Sequence, residues 1–216
     1  MTDDAFIKID KTRTNNTKAM QHADLHRQTR RQIRKHIQKQ RRQLTTHARQ
    51  YSAFLVSLQL RKLLPLLPKH AKIGIYLDSF GELPTAPLVQ FCLRHGFTPF
   101  LPITTAHKPL RFAPMRFAHG KTPLRTHALG MKEPTTKPIV SADMLDAIIC
   151  PLVAADTLGN RLGMGGGFYD RTFSSAKTVL KIGYCYDFQV MERLPVTNWD
   201  QKLNLLLTPS KVRYFG

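Results

Sequence analysis

Cysteine is scarce in this sequence, and its spacing excludes several kinds of site. The three residues, Cys92, Cys150 and Cys185, are far apart and lack the C-x-x-C spacing of zinc and redox motifs. They therefore form neither a zinc site nor a disulfide framework. Cys150 and Cys185 lie in apolar, strand-like runs, which predicts small core residues. The nine histidines are scattered, and no Ser-His-Asp or Cys-His arrangement for nucleophilic catalysis is evident.

Long hydrophobic runs are also missing. No stretch of 18 or more apolar residues occurs, so no transmembrane helix is expected. The first six residues have neither the basic nor the apolar segment of a secretory signal, which predicts a cytoplasmic protein. A length of 216 residues with 42% hydrophobic residues is enough for one α/β domain with a buried core.

Acidic residues are few, and the imbalance is concentrated near the start. The chain has 33 Lys and Arg against 14 Asp and Glu, a net charge of +19. Such a balance indicates a polyanionic partner or a solvated basic surface. Nucleic acid is one such polyanion, but no RNP motif, zinc finger or helix-turn-helix accompanies the charge.

The chain divides into a short polar leader and one larger unit. Residues 1–22 are polar and are predicted to be a disordered leader, and residues 23–216 to form a single α/β domain. Apolar residues recur at helical spacing from Asp24. A second helix is predicted over about 48–64, ended by Pro65 and Pro68. These two helices form a predicted N-terminal helical pair.

The remaining pattern alternates strands and helices. A strand at 72–77, a helix at about 86–95 and a strand at 97–101 form one βαβ unit, whose right-handed crossover predicts parallel strands. Further strands are predicted at 145–153, 177–184 and 203–207, and a pair around 110–112 and 115–117. The predicted fold is a three-layer α/β domain with an open, mainly parallel sheet, flanking helices and the N-terminal helical pair.

The most informative segment runs from Gly159 to Arg171 and contains five glycines, two arginines and an aromatic pair within a strand-loop-helix context. Such a loop presents backbone N–H groups at a helix start, where an anion is favoured. It is not a P-loop, because Gly167 is followed by Phe168 rather than by Lys and Ser or Thr. It is not a dinucleotide fingerprint either, because Phe168 occupies the third glycine position.

The run Arg161–Arg171 resembles the signature of the 5-formyltetrahydrofolate cyclo-ligase family, also called 5,10-methenyltetrahydrofolate synthetases. Segments 30–34, 80–85 and 194–200 resemble the same family in the same order, so the resemblance spans about residues 24–212. It implies ATP- and Mg²⁺-dependent cyclisation of 5-formyltetrahydrofolate to 5,10-methenyltetrahydrofolate, with release of ADP and phosphate.

The resemblance also implies site residues. Arg161 and Tyr169 are the expected catalytic residues, and Ser79, Glu82, Phe168 and Tyr169 the expected folate-binding residues. The family has an acidic residue where this chain has Pro84. Either Glu82 makes the polar contact to the pterin alone, or the affinity for the substrate is reduced, or the preferred substrate differs. The expected ATP-binding residues come from the first helix and the glycine-rich segment: Arg30, Arg34, Arg161, Leu162, Gly163, Met164, Gly165, Gly166, Gly167, Phe168 and Tyr169.

Two carboxylates are expected to hold Mg²⁺ together with ATP, since Mg²⁺ needs only one or two protein ligands. The resemblance assigns them to Asp170 and Asp200. The alternatives are structural: a helix cap or an ion pair with Arg171 for Asp170, and a loop cap for Asp200. Arg30 and Arg34 share one helix face and suit neighbouring phosphates, but a solvated charged face is an equal alternative.

The expected partners are ATP, a reduced folate with or without a polyglutamate tail, and Mg²⁺, and the protein is expected to be a monomer without membrane contact. Two other functions stay open from the sequence. One is a nucleic-acid-binding protein that uses the basic N-terminal helices. This function is less favoured, because it leaves the glycine-rich segment without a purpose. The other is a non-catalytic ATP-binding relative of the cyclo-ligases, a possibility that Pro84 keeps open.

Overall fold

The computed structural model describes residues 4–116, 122–127, 130 and 132–215. The chain has neither proline nor glycine before Pro65, so nothing interrupts helix formation in its first part. Helix α1 spans Asp4–Gln43 and α2 spans Thr46–Leu60. Between them Thr45 caps α2, its Oγ1 accepting a hydrogen bond from the Ala48 N–H at 3.1 Å.

The observed ends of these helices differ from the predicted ones. Helix α1 begins at Asp4, so residues 4–22 have helical backbone where the sequence predicts a disordered leader, and residues 1–3 lie outside the described residues. The polar composition of this segment, which suggested disorder, does not prevent a helix that contains no breaker. The division into a leader and one domain stays a prediction. After α2 the chain tightens into a 3₁₀ helix at Arg61–Leu66 that contains Pro65.

The centre of the molecule is an eight-stranded sheet in the order β13-β12-β10-β7-β1-β2-β3-β6. The five strands from β12 to β2 are parallel, and antiparallel strands flank them at both edges. This confirms the predicted mainly parallel sheet. Its strands are β1 Lys72–Gly74, β2 Thr98–Ile103, β3 Arg111–Pro114, β6 Val140–Ser141, β7 Ala147–Pro151, β10 Leu180–Tyr184, β12 Leu205–Leu207 and β13 Val212–Tyr214.

Apolar side chains alternate between the two faces of this sheet. On β7, Ile149 packs with one buried cluster that includes Leu60 of α2 and Leu88 of α3 (Ala86–Arg94). The neighbouring Ile148 packs with a second cluster that includes Phe173 of α4 (Phe168–Ser175). Both faces of the parallel strands are therefore covered, which gives the three predicted layers.

Two strands of a second, smaller sheet lie between β7 and α4 in the chain, where the sequence predicts one strand running directly into the glycine-rich loop. Strands β8 (Ala154–Asp156) and β9 (Arg161–Leu162) form a hairpin, and β11 (Val190–Met191) pairs with β8. The Asp156 carboxylate accepts bonds from backbone N–H groups of the hairpin turn, as turn-forming Asp residues do. Ile33 of α1 packs against this sheet.

The predicted strand pair at 110–112 and 115–117 is wrong. β3 pairs with β2 and β6, and beyond it the Met115 N–H still bonds the Pro99 carbonyl at 2.8 Å, so the chain runs on beside β2 instead of turning. Residue 117 lies outside the described residues. A separate hairpin is formed by β4 (Leu124–Thr126) and β5 (Lys132–Pro134). No helix in the described ranges is long and apolar enough to cross a membrane.

Candidate active site

Three loops meet near the carboxyl ends of the parallel strands, the edge at which open α/β sheets bind ligands. We call them the glutamate loop (residues 78–85, after β1), the glycine loop (163–167, between β9 and α4) and the aspartate loop (197–201, before β12). Hydrogen bonds and ion pairs connect all three to α1, directly or through one another. The sequence-predicted site residues come together at this point.

The glycine loop depends on backbone conformations that favour glycine. Gly165 has φ +109°, and Gly167 has φ +65° as the left-handed N-cap of α4. The backbone N–H groups of a helix's first turn lack partners within the helix and carry the positive end of its dipole. The loop is therefore shaped to receive an anion at the start of α4, as the sequence predicts.

Arg34 connects the glycine loop to α1. Its Nε donates to the Gly163 carbonyl at 2.8 Å, and its guanidinium lies beside Gly165, where an added Cβ would be 3.8 Å from Cζ. Burial and the neighbouring Arg30 lower the pKa of Arg34, and Asp200 partly opposes them. The positively charged guanidinium groups of Arg30 and Arg34 repel each other, and an anion bound between them would reduce this repulsion.

Arg30 connects α1 to the aspartate loop. It binds Asp200 through two hydrogen bonds, NH1 to Oδ2 at 2.7 Å and NH2 to Oδ1 at 3.1 Å. The Thr197 N–H donates to Oδ2 at 2.8 Å. Burial raises the pKa of Asp200, but the bonds from Arg30 and Thr197 outweigh it and the pKa is lowered. Arg30 and Arg34 are thus partly buried and engaged rather than a solvated charged face.

Arg161 belongs to β9, which directly precedes the glycine loop, and is only 4% exposed. Its NH2 donates to Asp170 Oδ1 at 2.8 Å, and the same oxygen accepts the Gln201 N–H at 3.2 Å. The ion-pair partner of Asp170 is therefore Arg161, not Arg171 as the structural alternative supposed. Arg161 Nε is buried and has no hydrogen-bond partner among the described residues, and such unsatisfied buried donors are rare in folded proteins.

Tyr169 lies between the glycine and glutamate loops. Arg161 Cζ is 5.9 Å from the centre of its ring. Burial, Cys150 and Glu82 raise the pKa of Tyr169 well above its usual value, against the opposing effect of Arg161. Its phenol therefore stays protonated at neutral pH and can donate a hydrogen bond, but cannot act as a base.

Glu82 is the buried acidic group of the glutamate loop, 7% exposed. Its Oε2 accepts the Ser79 N–H at 3.1 Å. Burial raises the pKa of Glu82 from 4.5 to about 7, while the Ser79 bond and Arg41 lower it and Asp78 raises it further. Pro84 contributes its carbonyl, which accepts the Tyr184 hydroxyl at 2.7 Å. Pro84 therefore helps to fix the loop although it has no carboxylate.

Arg41 also lies against this loop, at a position that was not predicted from the sequence. It is buried, its NH1 lies 3.9 Å from Glu82 Oε1, and its NH2 donates to the Leu152 carbonyl at the end of β7. A signal for it exists in the spacing, because Arg41 follows Arg34 by seven residues and Ile37 by four and so shares their helix face. Its position among many basic residues concealed it.

Each of the three loops also exposes one large apolar side chain. Phe80 of the glutamate loop is 62% exposed, Met164 of the glycine loop 53% and Trp199 of the aspartate loop 70%. Exposed apolar groups next to buried polar ones are typical of a binding cleft for a flat, partly apolar ligand. The sequence analysis did not single out these residues as a group.

Asp170 and Asp200 suit a magnesium ion that is held mainly by a phosphate ligand and water. The described ranges contain no cluster of three or more His, Cys, Asp and Glu side chains, but Mg²⁺ needs only one or two carboxylates. Asp170 accepts the Arg161 and Gln201 hydrogen bonds at Oδ1, whereas both oxygens of Asp200 bind Arg30. The carboxylates are donors of the type that Mg²⁺ prefers, but Asp200 would have to release a bond to Arg30 before it could hold the ion.

The raised pKa of Glu82 predicts how stability changes with pH. Between its ordinary pKa of 4.5 and the folded value of about 7, the unfolded chain has released a proton that the folded chain still holds. Stability therefore falls as pH rises through this window. Replacing Glu82 with Gln removes the titrating group, so the variant should not lose stability through it as pH rises. The unfolding free energy of the variant minus that of the parent should therefore increase by up to about 3 kcal/mol between the ordinary and the folded pKa of Glu82.

Urea denaturation at several pH values across this window measures that difference. The exposed Glu192 offers a matched control, and Glu192→Gln should change with pH as the parent does. Parallel pH profiles for Glu82→Gln and the parent would show that Glu82 titrates normally in the folded protein.

Comparison with known proteins is consistent with this geometry. Residues 26–209 match the model of the 5-formyltetrahydrofolate cyclo-ligase family. A 5-formyltetrahydrofolate cyclo-ligase of Escherichia coli (strain K12) is 34% identical over 180 residues, which cover 82% of this chain and 98% of that protein. One of Haemophilus influenzae is 34% identical over 182 residues, covering 76% and 94%.

A solved structure has a similar fold. The 5,10-methenyltetrahydrofolate synthetase of Aquifex aeolicus superimposes with a TM-score of 0.73 at 32% sequence identity, covering 86% of this chain and 92% of that one.

Proposed function

Because this chain belongs to the 5-formyltetrahydrofolate cyclo-ligase family and is an enzyme of that class, we propose that it uses ATP and Mg²⁺ to cyclise 5-formyltetrahydrofolate. The products are 5,10-methenyltetrahydrofolate, ADP and phosphate. The observation that carries the proposal is the attachment of three loops to one helix. Arg30 binds the aspartate loop, Arg34 the glycine loop, and Arg41 lies against Glu82 of the glutamate loop.

ATP is proposed to bind with its phosphates at the glycine loop. The start of α4 presents N–H donors there, and the guanidinium groups of Arg30, Arg34 and Arg161 supply positive charge. Asp170 and Asp200 are the proposed Mg²⁺ ligands. A bound Mg²⁺ would neutralise phosphate charge, and the protein's own part is to orient the phosphate chain.

The reduced folate is proposed to bind beside the glutamate loop. Glu82, whose carboxylate accepts the Ser79 N–H, offers a polar contact to the ring edge, and the Ser79 side chain is a second candidate contact. Phe168, Tyr169 and the exposed Phe80 offer flat faces for stacking. This arrangement would bring the formyl group toward Tyr169 and Arg161, between the two substrates.

The proposed reaction has two steps. An N-formyl amide is a poor electrophile, because its oxygen is a poor leaving group. The formyl oxygen first attacks the γ-phosphorus of ATP; a new O–P bond forms and the bond to ADP breaks. N10 of the folate then attacks the activated carbon, phosphate leaves with the oxygen, and the N10 proton passes to phosphate or solvent. Phosphoryl transfer of this kind depends on positioning and charge neutralisation, which Arg161 and the protonated Tyr169 can supply.

The proposal is tested by mixing the protein with ATP, Mg²⁺ and 5-formyltetrahydrofolate and following the absorbance of the methenyl product together with ADP release. Equal amounts of product and ADP are expected. Omission of ATP should abolish both signals. ATP binding without any product would favour the non-catalytic relative instead.

A salt titration separates this function from nucleic-acid binding. If the basic helices serve the small substrates, nucleic-acid affinity should stay in the non-specific range of about 10⁻⁴ to 10⁻⁶ M at physiological salt and show no sequence preference. Turnover should be the same with and without added RNA. Tight, sequence-selective binding without folate turnover would contradict the proposal.

A further inference from the structure

Arg41 is in an unusual environment for an arginine. It lies in the last turn of α1 with 3% of its surface exposed. Its NH2 bonds the Leu152 carbonyl, its NH1 stops 3.9 Å short of Glu82, and its Nε has no partner among the described residues. Burying a guanidinium so incompletely satisfied is costly, so packing alone does not account for it.

We propose that Arg41 is a positioning residue that holds the Glu82 carboxylate, and the loop that carries it, against the carboxyl end of β7. One guanidinium makes both interactions, because its NH1 forms a 3.9 Å ion pair with Glu82 and its NH2 donates a hydrogen bond to the Leu152 carbonyl. The interaction of Arg41 with Glu82 does not depend on what the enzyme does. Only the role of Glu82 in folate binding rests on the proposed function.

The backbone of the glutamate loop also fits closely against Arg41. Gly81, at φ +73°, lies so near that an added Cβ would be 3.2 Å from Arg41 Cβ and 3.3 Å from its carbonyl oxygen. Phe80 has φ +51°, a conformation that a bulky residue keeps only when its surroundings hold it there. The conformation of the glutamate loop therefore depends on its close packing against the end of α1.

The other groups around Glu82 cannot replace Arg41. Asp78 of the same loop is an anion and raises the pKa of Glu82. Tyr76 of the segment after β1 and Tyr169 of α4 have raised pKa values and stay neutral. Tyr186 donates its hydroxyl to the Glu82 backbone carbonyl at 3.2 Å and does not reach the carboxylate by that bond. Among the charged groups acting on Glu82 in the described ranges, Arg41 is the cation.

A carbon-13 NMR titration tests the proposal without any substrate. The chain has only three glutamates, Glu82, Glu133 and Glu192, so selective labelling of the glutamate carboxyl carbons gives three signals. The Glu82→Gln variant identifies the one that belongs to position 82. In the parent this signal should titrate near pH 7.

Two variants at position 41 separate charge from shape. Arg41→Gln removes the charge but keeps an amide donor for Leu152, and the titration midpoint of Glu82 should rise by about one pH unit. Arg41→Lys keeps the charge and should leave the midpoint near that of the parent. The neighbouring Arg42 is exposed, and Arg42→Gln serves as the matched control with no shift. An unchanged midpoint in folded Arg41→Gln would overturn the proposal, whatever the enzyme's turnover.

Steady-state kinetics provide a second readout. Arg41→Gln should raise the KM for the reduced folate by about tenfold and change kcat less, with Arg41→Lys restoring most of the loss. If Arg41→Gln does not fold, the double variant with Glu82→Gln decides. Recovery of folding in the double variant supports the pairing, and continued unfolding shows that Arg41 acts through Leu152 alone. A protein that shows the NMR shift but no turnover would contradict the proposed function and leave this inference standing.

Discussion

Replacing Gly167 with alanine should lower kcat/KM for ATP by about 100-fold, the scale of loss when a reacting group is misplaced by about an ångström. Gly167 has φ +65° and begins α4, and an added Cβ would lie 2.8 Å from Arg171 NH1. The alanine would therefore strain the turn that aims the helix N–H groups at the proposed phosphates. Initial rates at varied ATP and isothermal titration with ATP measure the effect.

Gly96 is the matched control for that substitution. It has φ +68°, nearly the same as Gly167, and its added Cβ would meet only His70 Nδ1, at 3.9 Å. Gly96→Ala should cost a similar amount of stability, about 1 kcal/mol, without changing ATP kinetics. Equal ATP affinity in both folded variants would remove the glycine loop from the nucleotide site. Valine is a poorer probe at Gly165 or Gly167, since positive φ makes loss of folding hard to separate from loss of binding.

Replacing Asp170 with asparagine should have two separable effects. The buried Arg161 would lose its ionic partner, which should lower the unfolding free energy by about 3 kcal/mol. Removal of a proposed metal ligand should also raise the Mg²⁺ concentration for half-maximal turnover by at least about tenfold. Urea denaturation measures the first effect and Mg²⁺ titration of activity the second.

Two further variants separate the ion pair from the metal site. Adding Arg161→Met to Asp170→Asn should recover much of the lost stability, because no unpaired buried charge remains, but should not recover turnover. Asp146 bonds the Lys72 N–H at the opposite ends of the strands, so Asp146→Asn is the control with unchanged Mg²⁺ dependence. A Mg²⁺ titration of Asp170→Asn that overlays the parent's would leave Asp170 as a structural partner of Arg161.

The parallel core could be predicted from the sequence because its strands are covered on both faces. Such strands appear as short, almost entirely apolar runs, as in 145–153 and 203–207, and helix α3 ends beside Gly96 as expected. Short strands with mixed composition could not be predicted in this way. Arg161 and Leu162 of β9 look like the start of a loop in sequence, and only their pairing with β8 makes them a strand.

The parts of the candidate site that lie within one continuous segment could be predicted from the sequence. The glycine loop combines residue types that together indicate anion binding, and its positive φ angles at Gly165 and Gly167 agree with that prediction. Partners distant in sequence were not predictable. The spacing of Arg41 from Arg34 and Ile37 places it on their helix face, but its contact with Glu82 depends on a loop distant in sequence. The pairing of Asp170 with Arg161 rather than with the adjacent Arg171 is likewise decided by folding of the hairpin between β8 and β9.

The contact between Arg30 and Asp200 joins residues 170 positions apart in the chain. On a ribosome, where the chain emerges from its amino end, α1 is made early and the aspartate loop late. The core strands β1, β2 and β7 can form in between, but Arg30 has no Asp200 to bind until residue 200 has left the exit tunnel. The proposed nucleotide site should therefore mature late during synthesis, together with the edge strands β12 and β13 that follow Asp200, and nascent chains arrested before that point should not retain ATP.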